Sequence, residues 1–337
     1  MIIKSTFKPA WWLNNRHLQT IVPRFYSVPN TFKPFEQEFA LSDGDFVELI
    51  WSQSPAYINE NTPIVIVLHG LEGSFDSFYA KRMMNAIHQK GWVGLLMQFR
   101  GCGKKQNRLA KTYHSGQTED VSELVKYVNK KFPTNPLYSV GFSLGGNMLA
   151  KYLGEEGDKS VLSGGIVISA PLDLSLCAHA IGQGFSAVYQ KYLVDKLRKK
   201  TKDKLALMKE RFPVKVSAEQ LDDIKILTEF DEAVTAPING FKSAADYYAK
   251  SSANKFLGSI ATPTLVIHAK DDPFMSAEVI PNEGMLSNAV RFELSKSGGH
   301  VGFISGLNPF KPVFWAEKRT IEFIQQEQLN KFGHTFA

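Results

Sequence analysis

The clearest chemical signal in the chain is the run Gly141-Phe142-Ser143-Leu144-Gly145-Gly146. Leu137 to Val140, just before it, has the pattern of a short buried strand, and Leu144 to Leu153, just after it, carries helical periodicity. Between a strand and a helix, Gly-x-Ser-x-Gly predicts a nucleophile elbow with Ser143 as the attacking hydroxyl. The reason is steric. Small neighbours let the strand and helix approach, and the tight turn lifts the hydroxyl above the sheet. The helix N-terminus then lies beneath the oxyanion that forms when serine attacks an acyl carbon. Outside that context the same spacing fits a glycine-rich phosphate turn or simple close packing.

A serine nucleophile needs a base, and the base needs an acid to orient it. Ser297-Gly298-Gly299-His300 follows the last strand pattern, so His300 is the expected base. The other histidines fit less well: His88 lies inside a helical pattern, His114 and His179 precede the return to the sheet, and His334 falls in the tail. The acid is expected where the preceding strand ends, at Asp271-Asp272-Pro273. Neighbouring side chains in an extended segment point opposite ways. Asp272 is therefore assigned to His300 and Asp271 to the loop backbone, with Asp173 a less favoured substitute. The oxyanion donors are expected at the N–H groups of Leu71 and Leu144. Leu71 lies in His69-Gly70-Leu71-Glu72-Gly73-Ser74, directly after the first core strand, where glycine lets the main chain approach a substrate carbonyl. His69 is expected to hold that loop rather than to react. An aspartate at the elbow, as dehalogenase or epoxide hydrolase chemistry requires, is absent.

The elements that must position these groups are legible in outline. Phe35 to Leu41 and Phe46 to Trp51 flank Ser42-Asp43-Gly44-Asp45 and predict a hairpin. Strand and helix then alternate: Ile64 to Leu68, a helix through Tyr79, Met83, Met84 and Ile87, and Trp92 to Met97. They continue with a helix from a Thr118 cap to about Lys131, Leu137 to Val140, Leu144 to Leu153, and Gly165 to Ile168. From about Asp173 to Ser259 the pattern is helical and rich in lysine. Alternation resumes with Thr264 to His268, Ala277 to Leu286 and Val290 to Leu294, and a last helix spans about Pro312 to Lys331. The expected fold is α/β, a mostly parallel eight-stranded sheet flanked by helices, with an inserted helical lid. Residues 1–34 are read as an N-terminal arm, 35–172 and 260–337 as the core, and 173–259 as the lid.

Composition bounds the rest. At 337 residues, 44% hydrophobic and 21% charged, the chain has the make-up of a globular enzyme. No apolar run approaches the length needed to span a bilayer, and the N-terminus shows no secretory pattern, which makes cytoplasm the expected compartment. Cys102 and Cys177 have no metal-ligand or redox spacing and are expected to be buried hydrophobes. A net charge of +6 falls short of a nucleic-acid-binding composition. The basic stretch from Lys191 to Lys215, with Lys196, Arg198, Lys199, Lys200, Lys202 and Lys204, reads as a solvated helix face. It would also allow transient contact with an anionic membrane surface. Ala187, Val188, Tyr192 and Leu193 are candidates to roof an acyl pocket.

The chain also resembles the YheT branch of the α/β-hydrolases, whose eukaryotic relatives include phospholipid-cleaving members. The resemblance rests on Trp11-Trp12-Leu13, His17-Leu18-Gln19-Thr20-Ile21, Phe99-Arg100-Gly101-Cys102 and Tyr113-His114-Ser115-Gly116. It rests also on the elbow, Phe230-Asp231, Thr235-Ala236-Pro237, Gly240-Phe241, Tyr247-Tyr248, Asp271-Asp272-Pro273 and Gly298-Gly299-His300. Gly103-Lys104-Lys105 departs from the pattern, which has a small serine-like residue after Cys102. The resemblance implies a serine esterase with no metal or organic cofactor, acting on a small-molecule or lipid ester through Ser143, Asp272 and His300. Two other readings stay open on the sequence: an acyltransferase using the same acyl-enzyme, and a ligand-binding protein of the same fold without catalysis.

Overall fold

Short apolar runs such as Ile64–Leu68 have no polar face to give to water, so each must be covered on both sides. The computed structural model, which describes residues 1–26, 28–209, 212–213 and 216–333, meets this demand with one nine-stranded sheet between two helical layers. Lys215 and His334 lie outside the described residues. The strands are β1 (Ile2–Lys4), β2 (Phe35–Ala40), β3 (Phe46–Trp51), β4 (Ile64–Leu68), β5 (Val93–Gln98), β6 (Leu137–Phe142), β7 (Gly164–Ile168), β8 (Thr264–Ala269) and β9 (Val290–Ser295). Their order is β1-β9-β8-β7-β6-β4-β5-β3-β2. Pairing is parallel from β1 across to β5 and antiparallel at the β5-β3-β2 edge. The sheet therefore holds nine strands rather than the expected eight. The addition is β1, whose Ile2, Ile3 and Lys4 pair with Phe292, Glu293 and Leu294. A three-residue strand carries too little alternation to be read from sequence.

Alternation within each strand sorts the core. Ile64, Ile66 and Leu68 face a cluster with Leu124 and Val125 of α3 (Thr118–Lys131) and Leu149 of α4 (Leu144–Glu156). Val65 and Val67 face the other way, onto Met83, Met84 and Ile87 of α2 (Phe78–Gln89) and Phe323 and Ile324 of α11 (Trp315–Gly333). The N-terminal segment contributes α1 (Arg16–Ile21). Between β7 and β8 run α5 (Leu174–Ala180), α6 (Ala187–Met208), α7 (Ala218–Asp223), α8 (Leu227–Phe230), α9 (Ala236–Ile238) and α10 (Ala244–Ser251). Val194, Leu221, Ile224, Phe230 and Val234 form a small core of their own among these helices. Among the described residues, no helix is long and apolar enough to cross a membrane.

Three local expectations differ from the structure. Thr118 is the first residue of α3 and does not cap it; its hydroxyl donates to Glu155 at 2.6 Å. The stretch from Ala277 to Leu286 forms two short 3-10 turns, Ala277–Val279 and Glu283–Met285, because Pro281 between them cannot continue a helix. The C-terminal helix starts at Trp315, since Val313–Phe314 (β11) pairs with Ile304–Ser305 (β10) instead.

Asp120, in the first turn of α3, has a buried partner. Arg100, 2% exposed, holds it in a two-pronged contact at 2.7 Å on each prong, and also reaches Asp43 at 2.8 Å and Asp45 at 3.1 Å. This pins the loop after β5 against the hairpin and α3. Removing the cation leaves three acids around a buried site, so Arg100→Met is expected to destabilise the fold by about 3–5 kcal/mol, read by urea unfolding.

Candidate active site

Ser143 joins β6 to α4 with φ 52° and ψ −119°, a conformation a side chain rarely adopts. Its N–H donates to the Ile168 carbonyl at 2.8 Å, fixing the turn against β7. The glycines around it are there for contact. A Cβ on Gly141 would overlap the Gly145 carbonyl, and a Cβ on Gly145 would overlap the carbonyls of Leu68 and His69. The elbow therefore packs directly onto the end of β4.

The structure brings the three residues singled out in the sequence into one hydrogen-bonded chain. Ser143 Oγ lies 3.0 Å from His300 Nε2, and His300 Nδ1 lies 2.8 Å from Asp272 Oδ2. An ionised carboxylate only accepts, so Nδ1–H donates to Asp272 and Nε2 is left to accept the serine hydroxyl. Asp272 Oδ1 also accepts the Phe274 N–H at 2.9 Å, while Asp271 turns away and accepts the Gly299 N–H at 3.0 Å. Asp173 is elsewhere, capping α5 through the Leu176 N–H.

Other groups that hold His300 were not assigned from sequence. Its N–H donates to Thr20 Oγ1 at 2.9 Å, and Gln19 bonds both the N–H and the carbonyl of Ile304. A Cβ on Gly299 would meet the Arg16 carbonyl at 2.6 Å, so α1 sits tightly on the histidine loop. The His17–Ile21 run in the resemblance carried this signal without its meaning. Phe274 stacks on the imidazole with centroids 3.9 Å apart and planes within 8°; nothing in the local sequence marks it.

The turn after β4 uses its amide protons unevenly. Gly70 N–H donates to Tyr79 Oη at 2.8 Å, Glu72 N–H to Tyr113 Oη at 2.8 Å, and Gly73 N–H to the Gly70 carbonyl at 3.0 Å. Among the described residues the Leu71 N–H has no acceptor, and the Leu144 N–H, first in α4, has none within its helix. Both residues line the cavity above Ser143.

That cavity has a volume of about 540 Å³ and is roofed by the helices between β7 and β8. Leu174, Ile181, Leu193, Leu197, Phe230 and Val234 give it an apolar wall. Tyr192 lines it as well, whereas Val188 is 57% exposed. The basic run of α6 does not form one solvated face. Lys196 and Lys199 are exposed, and Arg198 and Lys202 pair with Asp195 and Asp222. Lys200 and Lys204 turn inward: Lys204, 2% exposed, donates to Asn107 Oδ1 at 2.6 Å and is lowered by burial to about 8. Burial holds His69 and His114 neutral, each lowered to about 3. His69 Nδ1–H donates to the Gly70 carbonyl at 2.7 Å and Nε2 accepts the Phe99 N–H, so this ring braces its loop. Among the described residues, no group of three or more His, Cys, Asp and Glu is arranged to hold a metal.

Comparison with known proteins agrees with this architecture. The family model for the alpha/beta hydrolase fold matches residues 63–307. The chain belongs to the α/β-hydrolase family. Within it, this α/β-hydrolase falls in the YheT branch: YheT of Escherichia coli (strain K12) is 42% identical over 320 residues, covering 95% of this chain and 93% of that protein. Phospholipase ABHD3 of Mus musculus is 27% identical over 342 residues, covering 100% of this chain and 82% of the other. The monoacylglycerol lipase of Saccharomyces cerevisiae (strain ATCC 204508 / S288c) is 32% identical over 246 residues, covering 72% of this chain and 55% of the lipase. Among solved structures, the Pyrococcus furiosus esterase Pf2001 shares the fold with a TM-score of 0.57 at 17% identity, covering 89% of this chain and 96% of that one.

The buried imidazoles make the stability of this hydrolase acid-sensitive. His114 Nδ1 accepts the Gly116 N–H at 3.1 Å, which only the neutral ring can do. As pH falls through the ordinary histidine range, the unfolded chain takes up a proton that the folded chain refuses until about pH 3. Stability is thus present above that range and lost below it. Between pH 7 and pH 5, His114→Asn is expected to lose about 2 kcal/mol less stability than the native chain, measured by urea unfolding at the two pH values.

Proposed function

We propose that this chain is a serine carboxylesterase that hydrolyses short- to medium-chain acyl esters, lipid-derived esters among them, through an acyl-enzyme on Ser143. The observation that carries the reading is the hydrogen-bonded series Ser143–His300–Asp272 at the floor of an apolar cavity. The relatives named as a phospholipase and a monoacylglycerol lipase support an ester as the substrate.

In this reading His300 Nε2 takes the hydroxyl proton as Ser143 Oγ attacks the acyl carbon, and Asp272 steadies the imidazolium through Nδ1–H. The N–H groups of Leu71 and Leu144 receive the oxyanion. His300 then gives its proton to the departing alcohol, and water, activated by the same imidazole, releases the acid. Residues 173–259 act as a lid over a core formed by 35–172 and 260–337. The apolar wall of the cavity takes the acyl chain, and its size lies within the range of small-molecule sites. Thr20, which holds the His300 main chain, comes from the N-terminal arm, residues 1–34.

Ser143→Ala should fold normally yet lose at least about 10³-fold in p-nitrophenyl ester hydrolysis, and lose fluorophosphonate labelling with it. Folded native chain that neither hydrolyses nor labels would sink the reading, and product shifting to a new ester on addition of alcohols would redirect it to acyl transfer. Thr20→Val removes the acceptor of the His300 N–H. It is expected to lower kcat about 10-fold while the acyl-chain preference stays the same; an unchanged kcat would show that the Thr20 hydrogen bond has no part in placing the base.

A further inference from the structure

Leu71 is held in place by its neighbour. Glu72 sits at φ 52°, in the left-handed region, and occupies the third position of the Gly70–Gly73 turn. An unbranched acid pays a steric cost there that glycine would not, so something else must select it. Its environment shows what. Tyr113 Oη accepts the Glu72 N–H at 2.8 Å and donates to the Glu72 carboxylate at 2.7 Å, so one hydroxyl grips both the main chain and the side chain of this residue. The same carboxylate oxygen lies 3.1 Å from Lys200 Nζ, in an ion pair whose side chains are 15% and 10% exposed. Lys200 belongs to α6, above the cavity, and its ammonium also rests over the Tyr113 ring at 4.7 Å and contacts Cys102 Sγ at 2.9 Å. Burial raises the Cys102 thiol to about 11.

We propose that Glu72 is a positioning residue: clamped by Tyr113 and Lys200, its carboxylate fixes the turn so that the Leu71 N–H faces the oxyanion, and the Lys200 arm ties that alignment to the seating of α6. The inference rests on Ser143 as nucleophile and Leu71 as an oxyanion donor. It assigns the inward lysine to the oxyanion loop rather than to an anionic ligand. The contact is also long-range in sequence, so the loop acquires its final geometry only when the inserted helices are in place.

The test compares Glu72→Gln, Tyr113→Phe and Lys200→Met with the native chain, using p-nitrophenyl butyrate turnover and inhibition by an alkyl trifluoromethyl ketone, whose serine adduct carries an oxyanion. Glu72→Gln and Tyr113→Phe are expected to lower kcat about 10- to 100-fold with KM within about twofold. They should weaken the ketone by the same factor, and Lys200→Met should do so to a smaller extent. Thermal melts establish folding, and Tyr113→Phe, which removes a single oxygen, decides the matter if Glu72→Gln does not fold. A kcat within twofold of native, or a fall in kcat without weaker ketone binding, would overturn the proposal. A native chain that is not labelled at Ser143 would instead remove the nucleophile reading on which the proposal stands.

Discussion

A hydroxyl presented on a left-handed turn between β6 and α4 is the constraint around which the rest of the molecule is arranged. For a residue with a side chain such a conformation costs about 1–3 kcal/mol, and it persists only where its surroundings over-determine it. Here they do: the Ser143 N–H is bonded to β7, and Gly141 and Gly145 let β6, α4 and the end of β4 meet at main-chain distance. Fully buried parallel strands supply the rigidity. Ile64 to Leu68 are inaccessible to water on both faces, so the elbow rests on a close-packed base that cannot relax the turn.

The second requirement is to deliver a histidine from the far end of the chain to that hydroxyl. The loop after β9 is itself unrelaxed, with Gly299, Val301 and Phe303 all at positive φ. It is held from outside by α1, through Thr20 and Gln19, and from the side by Phe274 stacked on the ring. The first and last parts of the chain are thereby joined at this loop, and they are joined again where β1 pairs with β9. An N-terminal segment that looks peripheral in sequence is part of the frame that places His300.

Electrostatics in the interior follow the same economy of partners. Arg100 faces three acids, while Lys200 has one acid and an aromatic ring, and Lys204 has only neutral acceptors in contact. A buried cation with weaker partners gives up its charge more readily, and Lys204 accordingly falls to about 8. Two turns of α6 are thus anchored below the surface by lysines, and this helix is coupled to the site by more than apolar contact.

Sequence alone carried the local part of this protein. Elbow spacing, the glycines before His300, the paired acids before Pro273 and the run of buried strands are all short-range patterns, because strand burial and tight turns leave their mark within a few residues. The YheT resemblance, from scattered motifs, pointed to the same residues and the same fold. What only tertiary structure decided was which distant groups meet. Three-residue β1 has too little pattern to announce a ninth strand. Lysines of α6 look alike along the chain, yet packing turns Lys200 and Lys204 inward and leaves Lys196 and Lys199 in water. Thr20 and Tyr113 reach the site across separations that no window of sequence spans, and the side-chain directions of Phe274 and Glu72, although these stand beside Asp272 and Leu71 in the chain, are fixed by the elements packed against them.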